Sequence, residues 1–225
     1  MPIVTWFSLL IFIVLLVLLP LAFGELMVEG LAKLHLTPSA AVALVLAIFI
    51  GGFINIPVKR LVRSQPVTVH PLALFGLSDL WPQLQRARHQ TLIAVNVGGC
   101  VIPTGLAVYE LIHLAASGTP TLFALAITCA INCAACYLMA RPVAGVGIMM
   151  PGLVPPLISA ALAIVLAPDQ AAAVAFVAGV AGPLVGADLL HLKDIQTSGV
   201  GIASIGGAGT FDGIVLSGVI AAYLA

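Results

Sequence analysis

Gly199-Val-Gly-Ile-Ala-Ser-Ile-Gly-Gly-Ala-Gly-Thr-Phe-Asp-Gly213 holds six glycines and one acid, Asp212. Glycine weakens a helix but lets backbone approach a ligand or another helix closely. A carboxylate at the centre of a membrane helix costs about 2.5–3.5 kcal/mol on insertion scales. An expensive charge in permissive backbone is therefore where both the architecture and the chemistry are to be sought. A second acid, Asp188, precedes the run in Gly186-Ala-Asp-Leu-Leu190.

The surroundings are hydrocarbon-like. Of 225 residues 62% are hydrophobic and only 7% charged, where a soluble domain carries about 25% charged residues. The composition excludes an ordinary soluble protein and points to an all-α, polytopic transmembrane helix bundle with the lipid bilayer as its first partner. The formal net charge is zero, which offers nothing to a nucleic acid. Cys100, Cys129, Cys133 and Cys136 all fall in apolar stretches, so they form no extracellular disulfide framework. No polar stretch is long enough for a second domain. The chain reads as one integral membrane domain, 1–225, with a cytoplasmic loop at 59–90.

Seven apolar segments approach the roughly 20 residues that a span needs: 3–23, 38–58, 91–114, 119–140, 143–167, 170–190 and 199–225. The first lacks a basic leader and a small-residue cleavage site, and reads as a span. Lys59, Arg60, Arg63, Arg86, Arg88, Arg141 and Lys193 fall on one side, and Lys33 alone on the other. Positive residues stay inside, so the expected location is the cytoplasmic (inner) membrane, N-terminus inside and C-terminus outside. Within the basic loop, 67–75 has the pattern of a short strand lying on the membrane face.

Spans five and seven are poor simple helices. Span five contains Pro151, Gly152, Pro155 and Pro156, and span seven opens on the glycines. Proline removes a backbone donor and clashes one turn back. Irregular backbone at membrane depth is tolerated only inside protein or along a cavity. Both spans are expected to be interrupted in their cytoplasmic halves, with the two breaks adjacent. Ala144-Gly-Val-Gly-Ile148 recurs as Ser198-Gly-Val-Gly-Ile202, one copy entering each interrupted span. Paired Gly/Pro-interrupted spans point to a transporter site.

The candidate binding residues are Asp188, Asp212, Asn96, Asn132, Gly207 and Gly209. Asp188 lies near the cytoplasmic end of span six. Asp212 follows on span seven, facing protein and bonded to backbone of span five or three, with the two carboxylates expected to be well separated. The plainer alternatives are an interfacial Asp188 near Lys193 and an Asp212 that caps a broken helix. Asn55, Asn96 and Asn132 fall in the cytoplasmic halves of spans two to four, either lining a cavity with Asp188 or bonding helices together. Glu110 and His113 share one face near the outer end of span three, as an interfacial pair, an outer gate or a proton site. Cys133-Ala-Ala-Cys136 with Met139, Met149 and Met150 offers soft ligands suited to Cu(I), but cysteines on one helix face pack more often than they ligate. His70 and His89 lack metal-type spacing, and no Walker loop, H-E-x-x-H or G-x-S-x-G occurs. No resident metal or cofactor is expected.

Ala94-Val-Asn-Val-Gly-Gly with Ile102-Pro103, Gly147-Ile-Met-Met-Pro-Gly-Leu-Val-Pro-Pro156, Gly186-Ala-Asp-Leu-Leu190 and Ala203-Ser-Ile-Gly-Gly-Ala-Gly-Thr-Phe-Asp-Gly213 resemble an uncharacterised family of bacterial and archaeal integral-membrane proteins. That resemblance runs from about Ile56 to the C-terminus and implies a prokaryotic membrane protein of no stated activity. A weaker likeness is to presenilin-type intramembrane aspartyl proteases. It implies catalytic roles for Asp188 and Asp212 on consecutive spans of opposite direction. Those proteases carry Tyr-Asp and Gly-x-Gly-Asp, whereas Ala187 and Phe211 precede the acids here.

Three functions compete. The first and favoured is translocation of a cation or small solute, with no catalysis. The second is an aspartyl protease, in which like charges so close share a proton. The third is a structural or accessory membrane subunit. Reporter fusions test the topology beneath all three. Fusions at Arg63 and Arg141 should report cytoplasm, and one at Ala225 the outside. An inside C-terminus would require an even number of spans.

Overall fold

The computed structural model describes residues 14, 18, 21–62, 90–143, 147–194 and 202–225. Most of the first span, the strand expected at 67–75, and Arg63, His70, Arg86, Arg88, His89, Gly199 and Gly201 lie outside the described residues.

Helix α1 occupies 21–32. A short turn leads to α2, Pro38–Gly51, whose N-terminus is capped by Thr37: its hydroxyl accepts from the Ala40 N–H at 3.3 Å, and Pro38 opens the helix, where its missing donor is not needed. After strands β1 (Asn55–Val62) and β2 (Gln90–Asn96), a π-helical turn, Val97–Val101, leads into α3, Ile102–Ala116. Helix α4 is Thr119–Met139. A hairpin of β3 (Arg141–Val143) and β4 (Gly147–Met149) precedes α5, Val154–Leu166. Helix α6, Ala171–Ala181, runs on as a π-helical stretch, Gly182–Leu189. Strand β5 (Ile202–Ile205) and a 3₁₀ turn, Gly209–Phe211, lead to α7, Gly213–Leu224.

Helix α6 is the centre of the bundle. It packs against α3, α4, α5 and α7, and Ala173 through Val180 are all buried. A helix that is apolar on every side belongs in the interior. Small residues bring α7 against it: a Cβ on Gly179 would stand 2.6 Å from the Ser217 carbonyl oxygen, and one on Gly218 2.6 Å from Val180 Cγ2. Among the described residues, three stretches are long and apolar enough to cross a membrane, Val97–Ala116, Thr119–Met139 and Pro168–Leu189. Helices Pro38–Gly51, Val154–Leu166 and Gly213–Leu224 are apolar but shorter.

The all-α expectation needs one correction: the described residues, mostly helical, also form two small sheets. Spans two and three were expected to be helical over 38–58 and 91–114. Instead Asn55–Val62 pairs antiparallel with Gln90–Asn96, and β5 adds parallel to β2, giving the order β1-β2-β5. The physical cause is local. Both segments are rich in β-branched residues, and Pro57 would break a helix interior. It sits instead on the edge strand, beside a register shift between Pro57 and Lys59, as strand prolines do. The expected loop at 59–90 therefore begins and ends as strand.

Both breaks occur, and they are adjacent. Within the apolar segment 143–167, Pro155 and Pro156 lie in the first turn of α5, where proline is tolerated, so they start the helix rather than kink it. Within 199–225 the chain turns at Gly206 (φ +73°) and Gly209 (φ +61°), a backbone region that favours glycine. A Cβ on Gly213 would stand 3.1 Å from Met150 Cε, which links the two breaks.

Backbones touch directly behind this turn. A Cβ on Gly99 would overlap the Gly206 carbonyl oxygen, and one on Gly98 would overlap that of Ile48. One on Gly209 would stand 3.0 Å from Gly52 Cα. Overpacking such a contact costs about 1–3 kcal/mol or more. Gly99→Ala should therefore lower the melting temperature of the detergent-solubilised protein. Gly105→Ala in α3, whose Cβ would meet nothing within 4 Å, should leave it unchanged or raise it, since alanine is the better helix former. Equal effects of the two substitutions would contradict the packing.

Candidate functional site

A cavity of about 360 Å³ opens between the two breaks. Its walls are Gly147 and Ile148 of β4, Ile202 to Ile205 of β5, and Gly206, Gly207 and Ala208 of the following turn. Asp188 and Asp212 complete the lining. The recurrent Gly-Val-Gly-Ile element thus supplies both sides: Ile148 ends one copy and Ile202 the other.

Asp212 is the N-cap of α7. Its Oδ1 accepts from the Ile214 N–H at 3.0 Å and its Oδ2 from the Ala208 N–H at 3.3 Å. The expectation of a carboxylate bonded to span five or three is corrected by this. The glycine turn folds back far enough for the segment's own backbone to hold the acid, and the helix dipole favours negative charge there. Asp188 is placed by the π-helical stretch, in which the Leu190 N–H bonds the Val185 carbonyl five residues back at 3.1 Å. Such widened turns recur at functional sites. Gly182 and Gly186 let this stretch lie against α4, since a Cβ on either would collide with Asn132 or the Cys133 carbonyl. Asp188 has no hydrogen bond among the described residues. It is half-buried, as is Asp212, and lies within electrostatic reach of it.

Of the six sequence candidates, Asp188, Asp212 and Gly207 line the cavity. Asn96 stands one step behind it. It is fully buried, its Oδ1 accepts from the Gly99 N–H at 2.7 Å, and its Nδ2 donates to the Gly52 carbonyl at 2.8 Å and to Asn55 Oδ1 at 3.2 Å. Asn55 Oδ1 also accepts from the Ser204 hydroxyl at 2.6 Å, so the chain of bonds ends on the cavity wall. Asn132 is elsewhere, buried between α4 and α6 with Nδ2 donating to the Ala178 carbonyl at 2.9 Å. Gly209 packs on Gly52. The expected convergence of asparagines on Asp188 does not occur, because each buried amide has found backbone partners.

Ser204 and the strand that carries it were not singled out from sequence. Ile202-Ala-Ser-Ile205 between glycines carries a weak strand signal. The cysteines pack between helices: the Cys133 thiol donates to the Ala181 carbonyl at 3.4 Å, and that of Cys136 to Asn132 Oδ1 at 3.9 Å. Among the described residues no group of three or more His, Cys, Asp and Glu side chains could hold a metal.

Glu110 and His113 belong to a separate cluster at the far end of the bundle. Fully buried Glu110 accepts from the His35 N–H at 3.2 Å and pairs with His35 Nδ1 at 2.7 Å. His113 stacks on His35 with ring centroids 5.0 Å apart, and the Tyr109 hydroxyl donates to the His35 carbonyl at 2.8 Å. The cluster fastens the α1–α2 turn to α3.

The asparagine roles separate by substitution. Each buried group left without its partner costs about 1–3 kcal/mol. Asn96→Ala removes three bonds and Asn132→Ala one to the backbone, so the first should lower the melting temperature more. A larger loss from Asn132→Ala would contradict the network.

No curated protein and no solved structure matches the chain. A family model described as a protein of unknown function, DUF1614, matches residues 49–224, a stretch that takes in both sheets, both aspartates and every helix from α3 onward. This chain belongs to the DUF1614 family.

Proposed function

We propose that this is an integral membrane hydrolase in which Asp188 and Asp212 act together on one water to cleave a peptide bond. The reading takes the seven apolar segments as spans, with the N-terminus in the cytoplasm and the cavity at the cytoplasmic side. The observation that carries it is that Asp188, on the π-helical end of α6, and Asp212, at the start of α7, line one open cavity.

The two acids are placed in different settings, which is how a carboxylate pair divides its work. Asp212, held by two N–H donors, acts as the base that takes a proton from water. Asp188, with no hydrogen-bond donor among the described residues, acts as the acid beside it. The water oxygen adds to the peptide carbonyl carbon to give a tetrahedral gem-diol. A proton then passes to the amide nitrogen, the C–N bond breaks, and a carboxylic acid and an amine leave. The walls suit an extended substrate. Among the described residues β5 pairs only with β2 and β4 only with β3, edges of a kind that can add a strand of peptide backbone.

Ion translocation would use the same carboxylates and the half-helix end of α7. It also needs a way past Phe176, Val180, Ile214, Val215 and Val219, each at most 1% exposed. That packed layer places it second. A purely structural role gives no account of the half-buried Asp188, which has no hydrogen bond among the described residues.

Asp188→Asn and Asp212→Asn each keep shape and remove a charge. Asparagine caps a helix as well as aspartate does and its oxygen can still accept from the Ile214 N–H, while the exposed Ala208 N–H turns to water, so stability should fall only slightly. Turnover of quenched fluorescent single-span peptides by the detergent-solubilised protein should fall about 10²–10⁴-fold with either change, the usual range for a lost acid or base. Full turnover with either variant would sink the hydrolase reading. Cation flux into vesicles that is lost with Asp188→Asn, without peptide cleavage by the unsubstituted chain, would favour the carrier.

A further inference from the structure

A second concavity, about 780 Å³, lies between α1 and α2. Its walls are apolar, with Val28, Val42, Leu46 and Phe49 among them, yet Glu25 and Glu29 also line it. The two acids are four residues apart and so share one face of α1. Both are exposed, and neither has a hydrogen bond or ion pair among the described residues.

Their level along the bundle matters. The Phe23 ring lies 5.3 Å from that of Phe211, at the start of α7. A Cβ on Gly30 would stand 2.9 Å from the Val219 carbonyl oxygen and 3.5 Å from Tyr223 Cβ. The Lys33 ammonium donates to the Tyr223 carbonyl at 2.6 Å, at the end of α7. Glu25 and Glu29 fall between these points. They flank an apolar helix along its length and do not sit in the outer loop where the span boundaries first put them.

Carboxylates at that level are too costly to face lipid and normally find a countercharge. Lys33, the nearest base in sequence, is already engaged at the end of α7. The groove is open over Gly24, where a Cβ would meet nothing within 4 Å, so another backbone has room to come close. We infer that the α1–α2 groove docks a transmembrane helix of a partner protein that presents a lysine or arginine to Glu25 and Glu29. Apolar side chains of that helix fill the walls, and its cation neutralises the pair. The inference uses the membrane placement of α7 and is independent of any chemistry at Asp188 and Asp212.

The test uses the full chain, donor-labelled and reconstituted in phosphatidylcholine vesicles. The probe is an acceptor-labelled single-span polyleucine peptide with one central lysine. Energy transfer should exceed that of the all-leucine peptide. Apparent affinity should fall about tenfold or more in Glu25→Gln/Glu29→Gln, as expected when one side of a desolvated charge pair is removed. Gly24→Leu, which fills the groove and keeps both acids, should weaken it as well. Melting temperatures of the variants check that they fold. Equal binding of lysine and leucine peptides, or unchanged binding by the double variant, would overturn the proposal. So would self-association of the chain that disappears in the double variant, since the occupant would then be a second copy.

Discussion

Backbone meets backbone where Gly98 and Gly99 face Ile48 and Gly206, and where Gly209 faces Gly52. No side chain fits in these contacts, and the rest of the functional end hangs from them. They hold the end of α2, the π-helical start of α3 and the turn before α7 in one layer. Strand β5 can then lie along β2 in register from Leu92↔Ile202 to Val95↔Ile205. The polar bonds follow the same path: Asn96 reaches Gly52, Gly99 and Asn55, and Asn55 reaches Ser204. Close contact and amide bonding together fix an interruption in an apolar segment and satisfy backbone groups that no helix pairs there.

The break in turn decides where the carboxylates stand. Had α7 begun at the first glycines, Asp212 would lie within a helix with no donor to hold it. Because the chain stays extended to Ile205 and turns at Gly206 and Gly209, Asp212 arrives at the helix start. Asp188 reaches the same cavity from the π-helical end of α6. The central helix is otherwise sealed by buried alanine and valine, so the cavity is confined to one end of the bundle.

Much of this was legible in the sequence. Glycines and prolines marked both breaks, and the two isolated acids marked the cavity, because charge and irregular backbone are each rare in apolar chains. Three things were not legible. Residues 55–58 and 91–96 read as parts of spans and 59–62 as loop, since a short apolar run does not distinguish strand from buried helix. Asn132 read equally as a cavity residue or as a bond between helices, because a buried amide bonded to a neighbouring helix and one facing a ligand have the same sequence signature. Glu25 and Glu29 fall between the apolar segments 3–23 and 38–58, because hydropathy marks where a stretch stops being apolar, not where its helix ends. The level of those acids beside α7 emerges only from the contacts of Phe23, Gly30 and Lys33 with α7 and its flanks.

The account rests on Asp188 and Asp212 sharing one cavity. The direct measurement is thiol bridging in an Asp188→Cys/Asp212→Cys chain whose Cys100, Cys129, Cys133 and Cys136 are replaced by alanine. A short bifunctional thiol reagent should join the two positions within one molecule in membranes. Failure to bridge, while each single cysteine is still modified by a water-soluble thiol reagent, would contradict the shared cavity.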